Sequence, residues 1–174
     1  PIDMDSPMTF EDGQPKKTVQ GVGEYTINSD VTITFNPDKQ YVGTPASVTV
    51  KRVDKNGTEV TATYTPTVTR VTPTSTNAES TGIQGQPQSG KPTFSPGDQA
   101  VPIDMTKPMT FENGTDTLVV ANQGTYTINS DGSITFTPDK QFTGKATPVR
   151  VKRVDANGTE ITATYTPTVT KVTP

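Results

Sequence analysis

The densest runs of oxygen-bearing side chains are Asp54-Lys55-Asn56-Gly57, Asp155-Ala156-Asn157-Gly158 and Asn129-Ser130-Asp131-Gly132. Such runs invite a reading as calcium loops. A calcium ion takes six or more oxygens, and an EF-hand loop ends in a bidentate Glu. Here Glu59 and Glu160 come too soon after their aspartates. Asx-Gly pairs instead supply the positive φ and the local hydrogen bonds of tight turns. These runs are therefore expected to be hairpin turns, with no metal-binding residues.

Other constellations are weaker. Lys51-Arg52 and Lys152-Arg153 lie in valine-bearing stretches. They read as a solvated face, since two cations per stretch make a poor field for an acidic ligand. A Lys–Asn isopeptide crosslink would draw on Lys39, Lys140, Lys51 or Lys152 and on Asn28, Asn129, Asn56 or Asn157. All four asparagines fall in expected turns, which disfavours the bond. Asn56-Gly57-Thr58, Asn113-Gly114-Thr115 and Asn157-Gly158-Thr159 match the N-glycosylation pattern and also match turn chemistry. The chain has no Cys and no His. Thiolate chemistry, disulfides and the commonest general base are thereby excluded. No G-x-S-x-G nucleophile motif occurs. No catalytic residue, cofactor site or metal site is expected, and the chain is not expected to be an enzyme.

The composition limits the fold. Among 174 residues only 29% are hydrophobic, with 14 Gly and 16 Pro. Mean hydropathy is −0.57. Any core must be thin. The net charge of −3 suits neither a disordered polyelectrolyte nor a nucleic-acid binder, which needs clustered Lys and Arg. No apolar run is long enough for a membrane-spanning helix, so no membrane insertion is expected. No signal peptide is legible, so the chain is expected to be an internal fragment.

The main fact is a duplication. Pro1-Ile2-Asp3-Met4 returns as Pro102-Ile103-Asp104-Met105, and Thr61 to Thr69 returns as Thr162 to Thr170. The offset is 101 residues throughout, and 48 of the 73 aligned pairs are identical. Differences concentrate at Gln14–Val22 against Thr115–Gln123 and at Val42–Ser47 against Thr143–Pro148, as loops and edges allow. Residues 74–101 occur only once. Their first part, 74–90, is rich in Ser, Thr, Gln and Gly and reads as a flexible linker. Its second part, Lys91 to Pro96, is a candidate initial strand that the first copy lacks.

Alternation, and no helical period, runs through both copies. Tyr25 and Ile27 share a face, as do Ile33 and Phe35, across a turn at Asn28-Ser29-Asp30. The second copy turns at Asp131-Gly132, where the first has Asp30-Val31. Val is strained at positive φ, so Val31→Gly is expected to stabilise the first copy. Val48, Val50 and Val53 break parity, which suggests a bulge. Val60, Ala62, Tyr64 and Val68 form the last strand. Pro45, Pro66, Pro148 and Pro167 are expected on edges or bulges. Short strands separated by turns imply a β-sandwich.

Gly124 to Gly144 is similar to many bacterial immunoglobulin-like surface repeats. Ser89 to Phe94, Gly97-Asp98, Val101 to Met105 and Val151 to Asp155 resemble the CshA-type fibril repeat of streptococcal cell-wall adhesins. The resemblance covers the whole chain. It implies a wall-anchored protein of many repeats whose adhesive activity lies mainly in an N-terminal region.

The expected architecture is all-β: tandem small immunoglobulin-like sandwiches over 1–73 and 91–174, joined by a Ser/Thr/Gln/Gly-rich linker over 74–90. The expected role is that of a stalk or spacer in an extracellular fibril on a Gram-positive surface. Its partners would be neighbouring repeats of the same chain, with host extracellular matrix engaged through other regions. The rival expectations are weak host protein or glycan binding by the repeats themselves, and lateral self-association.

Overall fold

A computed structural model describes residues 1–173. It is built of strands and turns, in two compact units that divide between Arg70 and Val71.

The first unit carries β1 (Thr9–Phe10), β2 (Lys16–Val19), β3 (Gly23–Ile27), β4 (Ile33–Pro37), β5 (Val48–Val53) and β6 (Glu59–Tyr64). They make two antiparallel sheets, β1-β5-β6 and β2-β3-β4. Side chains alternate across a strand, so each sheet turns one face inward. Phe10, Tyr25, Val48 and Val50 are fully buried between them. Tyr25 and Phe35 are cross-strand partners, with ring centroids 4.6 Å apart. Phe10 and Tyr64 meet the Tyr25 ring edge-on at 6.4 and 6.2 Å. Such pairs add about 0.5–1.5 kcal/mol each beyond the area they bury.

The second unit repeats this plan as β11 (Thr110–Phe111), β12 (Thr117–Val120), β13 (Gly124–Ile128), β14 (Ile134–Pro138), β15 (Gly144–Lys145), β16 (Val149–Val154) and β17 (Glu160–Thr170). Four strands precede them: β7 (Thr74–Thr76), β8 (Ala78–Ile83), β9 (Gln88–Gly90) and β10 (Thr93–Ser95). β8 lies parallel to β17, in register from Tyr165↔Ala78 to Thr170↔Ile83. β9 extends the opposite sheet, pairing Ile134↔Gly90 and Phe136↔Gln88. β7 and β10 form their own antiparallel pair.

The segment 74–90 is therefore not a linker. Its backbone donors and acceptors are taken up by ladders of both sheets, so it belongs to the second sandwich, which begins near Val71 rather than at 91. The candidate strand at 91–96 exists as β10, but it is only the last of four strands without a counterpart in the first copy.

Three further expectations need correction. No bulge interrupts Val48–Val53 or Val149–Val154, since both pair with their neighbours residue by residue. Val53 and Val154 simply fall on the outer face, half-buried. The last strand of the first copy stops at Tyr64, and Val68 holds only an isolated bridge to Gly43. In the second copy β17 runs on to Thr170 because β8 lies along it. Pro167 sits inside β17, fully buried, and not on an edge. Its carbonyl accepts the Ala146 N–H at 2.9 Å. With no N–H of its own, Pro167 cannot return that bond, so the ladder beside Ala146 is one bond short.

Candidate functional site

The side chains singled out from the sequence prove to be turn fittings. Asp54 Oδ1 accepts the backbone N–H groups of Asn56 and Thr58, each at 2.9 Å. Asp155 Oδ1 does the same for Asn157 and Thr159. Asp30 and Asp131 cap their hairpins through Thr32 and Ser133. Those hydroxyls, and then the amides, hold both carboxyls below the ordinary aspartate range. Among the described residues no group of three or more metal-capable side chains comes together.

Three of the asparagines are similarly committed. Asn28 Nδ2 donates to the hydroxyls of Thr32 and Thr34, and Asn129 Nδ2 to those of Ser133 and Thr135. In the sequon at Asn113 the side-chain oxygen accepts from the amide and hydroxyl of Thr115. Lys51 lies 4.0 Å from Glu59, while Arg52 and Arg153 reach the sulfurs of Met4 and Met105. As consecutive strand residues, Lys51 and Arg52 point to opposite faces, as do Lys152 and Arg153, so neither pair forms a single basic surface.

One surface feature recurs in both copies. After β4, the chain turns at Asp38, where the Tyr41 N–H donates to the Asp38 carbonyl; Phe142 and Asp139 repeat this after β14. Beside each turn lies an open cleft, of about 610 Å³ at Asp38–Tyr41 and about 520 Å³ at Asp139–Phe142. Sequence reasoning missed these clefts, although the shared Asp-Lys-Gln before an aromatic was in view.

The most elaborate polar arrangement lies inside the second unit. Ser80 Oγ donates to Gln88 Oε1, so in the contact between Ser80 and Tyr165 the phenol must be the donor. Gln88 Nε2 donates onward to the Thr168 carbonyl at 3.1 Å. One network thus ties β8, β9 and β17 together. Gly90 completes it: a Cβ there would lie 2.5 Å from the Tyr165 ring. Burial pushes the Tyr165 phenol up, partly offset by the Ser80 bond, and burial raises Tyr126 further.

The chain is a duplicated two-sheet β protein whose polar groups serve turns and strand junctions, with no converging reactive groups among its described residues. The repetitive domain of the surface adhesin CshA matches residues 1–68 and 70–169, and the chain belongs to that family. Repeat domain 13 of the fibrillar adhesin CshA from Streptococcus gordonii, solved by NMR, is 65% identical to it. That match covers 38% of this chain and 85% of that one, with a TM-score of 0.22. The crystal structure of the N-terminal four Ig domains of Dscam1 isoform 8.4 covers 96% of this chain and 43% of its own, at 14% identity and a TM-score of 0.41. No curated protein matches the chain.

Proposed function

We propose that the chain is a non-enzymatic stalk segment of a bacterial surface fibril. Its repeats would hold an N-terminal adhesive region away from a cell wall to which the full protein is anchored. The observation that carries this reading is that both copies build the same core around Phe10-Tyr25-Phe35 and Phe111-Tyr126-Phe136. Repeated modules built on one plan add length and no chemistry. The segment 74–90 adds to this, because it is spent in the second sandwich and does not serve as slack chain. A stalk made this way lengthens in whole-domain steps.

Two measurements test it. Fibril length in electron micrographs should rise linearly with the number of repeats. Binding of this chain to host matrix should be far below that of the full protein. Equal affinity per molecule would overturn the spacer role.

The recurring cleft favours a second reading, in which the repeats themselves hold a host protein or glycan weakly and multiply it by avidity. Under that reading Tyr41→Ala and Phe142→Ala together abolish any residual matrix binding of the chain. Under the spacer reading they change nothing.

A further inference from the structure

Within the second unit the segment 75–84 and the last strand run side by side in one register. Six residue pairs make their parallel ladder, from Tyr165↔Ala78 to Thr170↔Ile83, at a constant offset of 87 residues. The same offset holds ahead of the ladder. There Ser75 Oγ donates to the Thr162 carbonyl at 2.6 Å, and the Thr164 N–H donates to Asn77 Oδ1 at 2.9 Å. Past the far end, the Gln84 N–H donates to the Thr170 carbonyl at 2.9 Å, and the Val172 N–H to Gln84 Oε1 at 3.3 Å. Side chains pin the middle. The Thr170 hydroxyl donates to the Gly82 carbonyl at 3.2 Å, and Ser80 and Gln88 hold Tyr165 and Thr168.

Two details keep this ladder whole. The Pro167 carbonyl points to Ala146, so the donor that Pro167 lacks lies on the side away from β8. Tyr165, Thr166 and Val169 are 0, 7 and 2% exposed, and hydrogen bonds screened from water are stronger electrostatically. Strand direction then decides how tension acts. Tension drawn along the chain enters this unit ahead of β7 and leaves it after β17. It pulls β8 toward its own N-terminal end and β17 toward its own C-terminal end. Because the two strands are parallel, these pulls slide one along the other and load every rung at once. An antiparallel pair in the same place would be pulled apart from one end, rung by rung.

We propose that β8 and β17 form a shear clamp, and that bearing tension along the chain is a further function of the segment 74–90. The clamp yields only when 75–84 slides as a whole against 162–172, and the sandwich stays shut up to that force. The Ser80–Gln88–Tyr165 network adds to its strength, because sliding must break those side-chain bonds together with the backbone ladder. The biological use of the clamp rests on the stalk reading; its mechanics do not, and the two are tested separately.

The experiment is single-molecule force spectroscopy on the full chain. The chain has no Cys, so two introduced cysteines are unique handles. Thr74→Cys with Thr173→Cys applies tension in shear. Gln86→Cys with Thr173→Cys pulls both strands from the same end and peels them apart. All three positions are exposed. The expected result is an unfolding force several times higher in shear than in peeling at the same loading rate, since forced unfolding reports the barrier and not the equilibrium stability. Ser80→Ala should lower the shear force. It should leave the peeling force unchanged, because peeling starts at the Gln84–Thr170 end. The proposal fails if the two attachments unfold at equal force, if peeling needs the greater force, or if Ser80→Ala leaves the shear force unchanged. Fibril length against repeat number judges the stalk role by itself. Linear lengthening with equal forces refutes the clamp alone, and a strong clamp in fibrils that do not lengthen refutes the stalk alone.

Discussion

The hydroxyls of Ser80 and Tyr165, 85 residues apart in the chain, lie 2.5 Å from each other and tie the unduplicated segment to the last strand of the second sandwich. Tyr165 also meets the Tyr126 ring edge-on, at 6.1 Å. One side chain therefore links a strand junction to the aromatic core, and its environment sets several expected outcomes.

Ser80→Ala removes the acceptor of the Tyr165 phenol and the donor to Gln88. Both remaining groups are enclosed by the network, and a buried polar group left without a partner costs about 1–3 kcal/mol. The second unit should lose that much in denaturant unfolding while the first is unchanged. An unaltered midpoint for the second unit would remove the network from its stability.

The turn between β3 and β4 offers a gain. Val31 sits at φ 74°, where the second copy has Gly132 at φ 86°. The left-handed region costs a non-glycine residue roughly 1–2 kcal/mol, partly offset by glycine's greater freedom when unfolded. Val31→Gly should therefore stabilise the first unit by about 0.5–1 kcal/mol, and Gly132→Val should destabilise the second by a similar amount. A lowered melting temperature for Val31→Gly would show that the strain is relieved elsewhere.

Gly124 is needed for a different reason. It stands at φ 156°, and a Cβ there would collide with the Thr137 carbonyl oxygen and come within 2.7 Å of the Phe136 ring. Both obstacles belong to the paired strand and cannot swing away. Gly124→Ala should cost at least about 2 kcal/mol, as over-packing in a filled core does. Gly23→Ala, against Asn36 and Phe35, should do the same in the first unit. Circular dichroism melts of the two variants would test this, and near-wild-type stability in both would refute it.

The two units should not melt together. The first has four buried hydrophobic residues in its core cluster and the second has eleven. Calorimetry should resolve two transitions, and hydrogen exchange should assign the lower one to residues 1–70. A single cooperative transition would contradict this.

Alkaline pH should act chiefly on the second unit. An unfolded tyrosine ionises near about pH 10. Burial raises Tyr126 and Tyr165 above that value, because the phenolate cannot be solvated inside. Above about pH 10 the unfolded chain releases protons that the folded one retains, so stability is full below that pH and falls as pH rises toward the folded values. Tyrosinate absorbance should lag in the folded protein and appear together with loss of the dichroism signal. Ordinary titration of all five tyrosines with the fold intact would count against it.

How much of this was readable beforehand varies by element. The strands at Tyr25–Ile27 and Ile33–Phe35, the turn between them and the strain at Val31 followed from alternation and turn chemistry. β8 did not. Its inward positions are Ala78, Ser80 and Gly82, and its outward Ile83 is 55% exposed, the reverse of a hydrophobic pattern. Small residues are required there because the Gln88 and Tyr165 side chains fill the space. A Cβ on Gly82 would already be 3.0 Å from Gln88 Nε2. A strand whose inward side is made of gaps reads as a linker.

The amino-acid sequence alone determined the duplication, the all-β character, the aromatic positions of both cores and the turns that join their hairpins. Each of these depends on neighbours a few residues apart, where side-chain parity and backbone preference act directly. Tertiary structure alone decided that 74–95 closes the second sandwich. That outcome rests on parallel pairing across more than eighty residues, and the complementarity lies between two surfaces that no local pattern records.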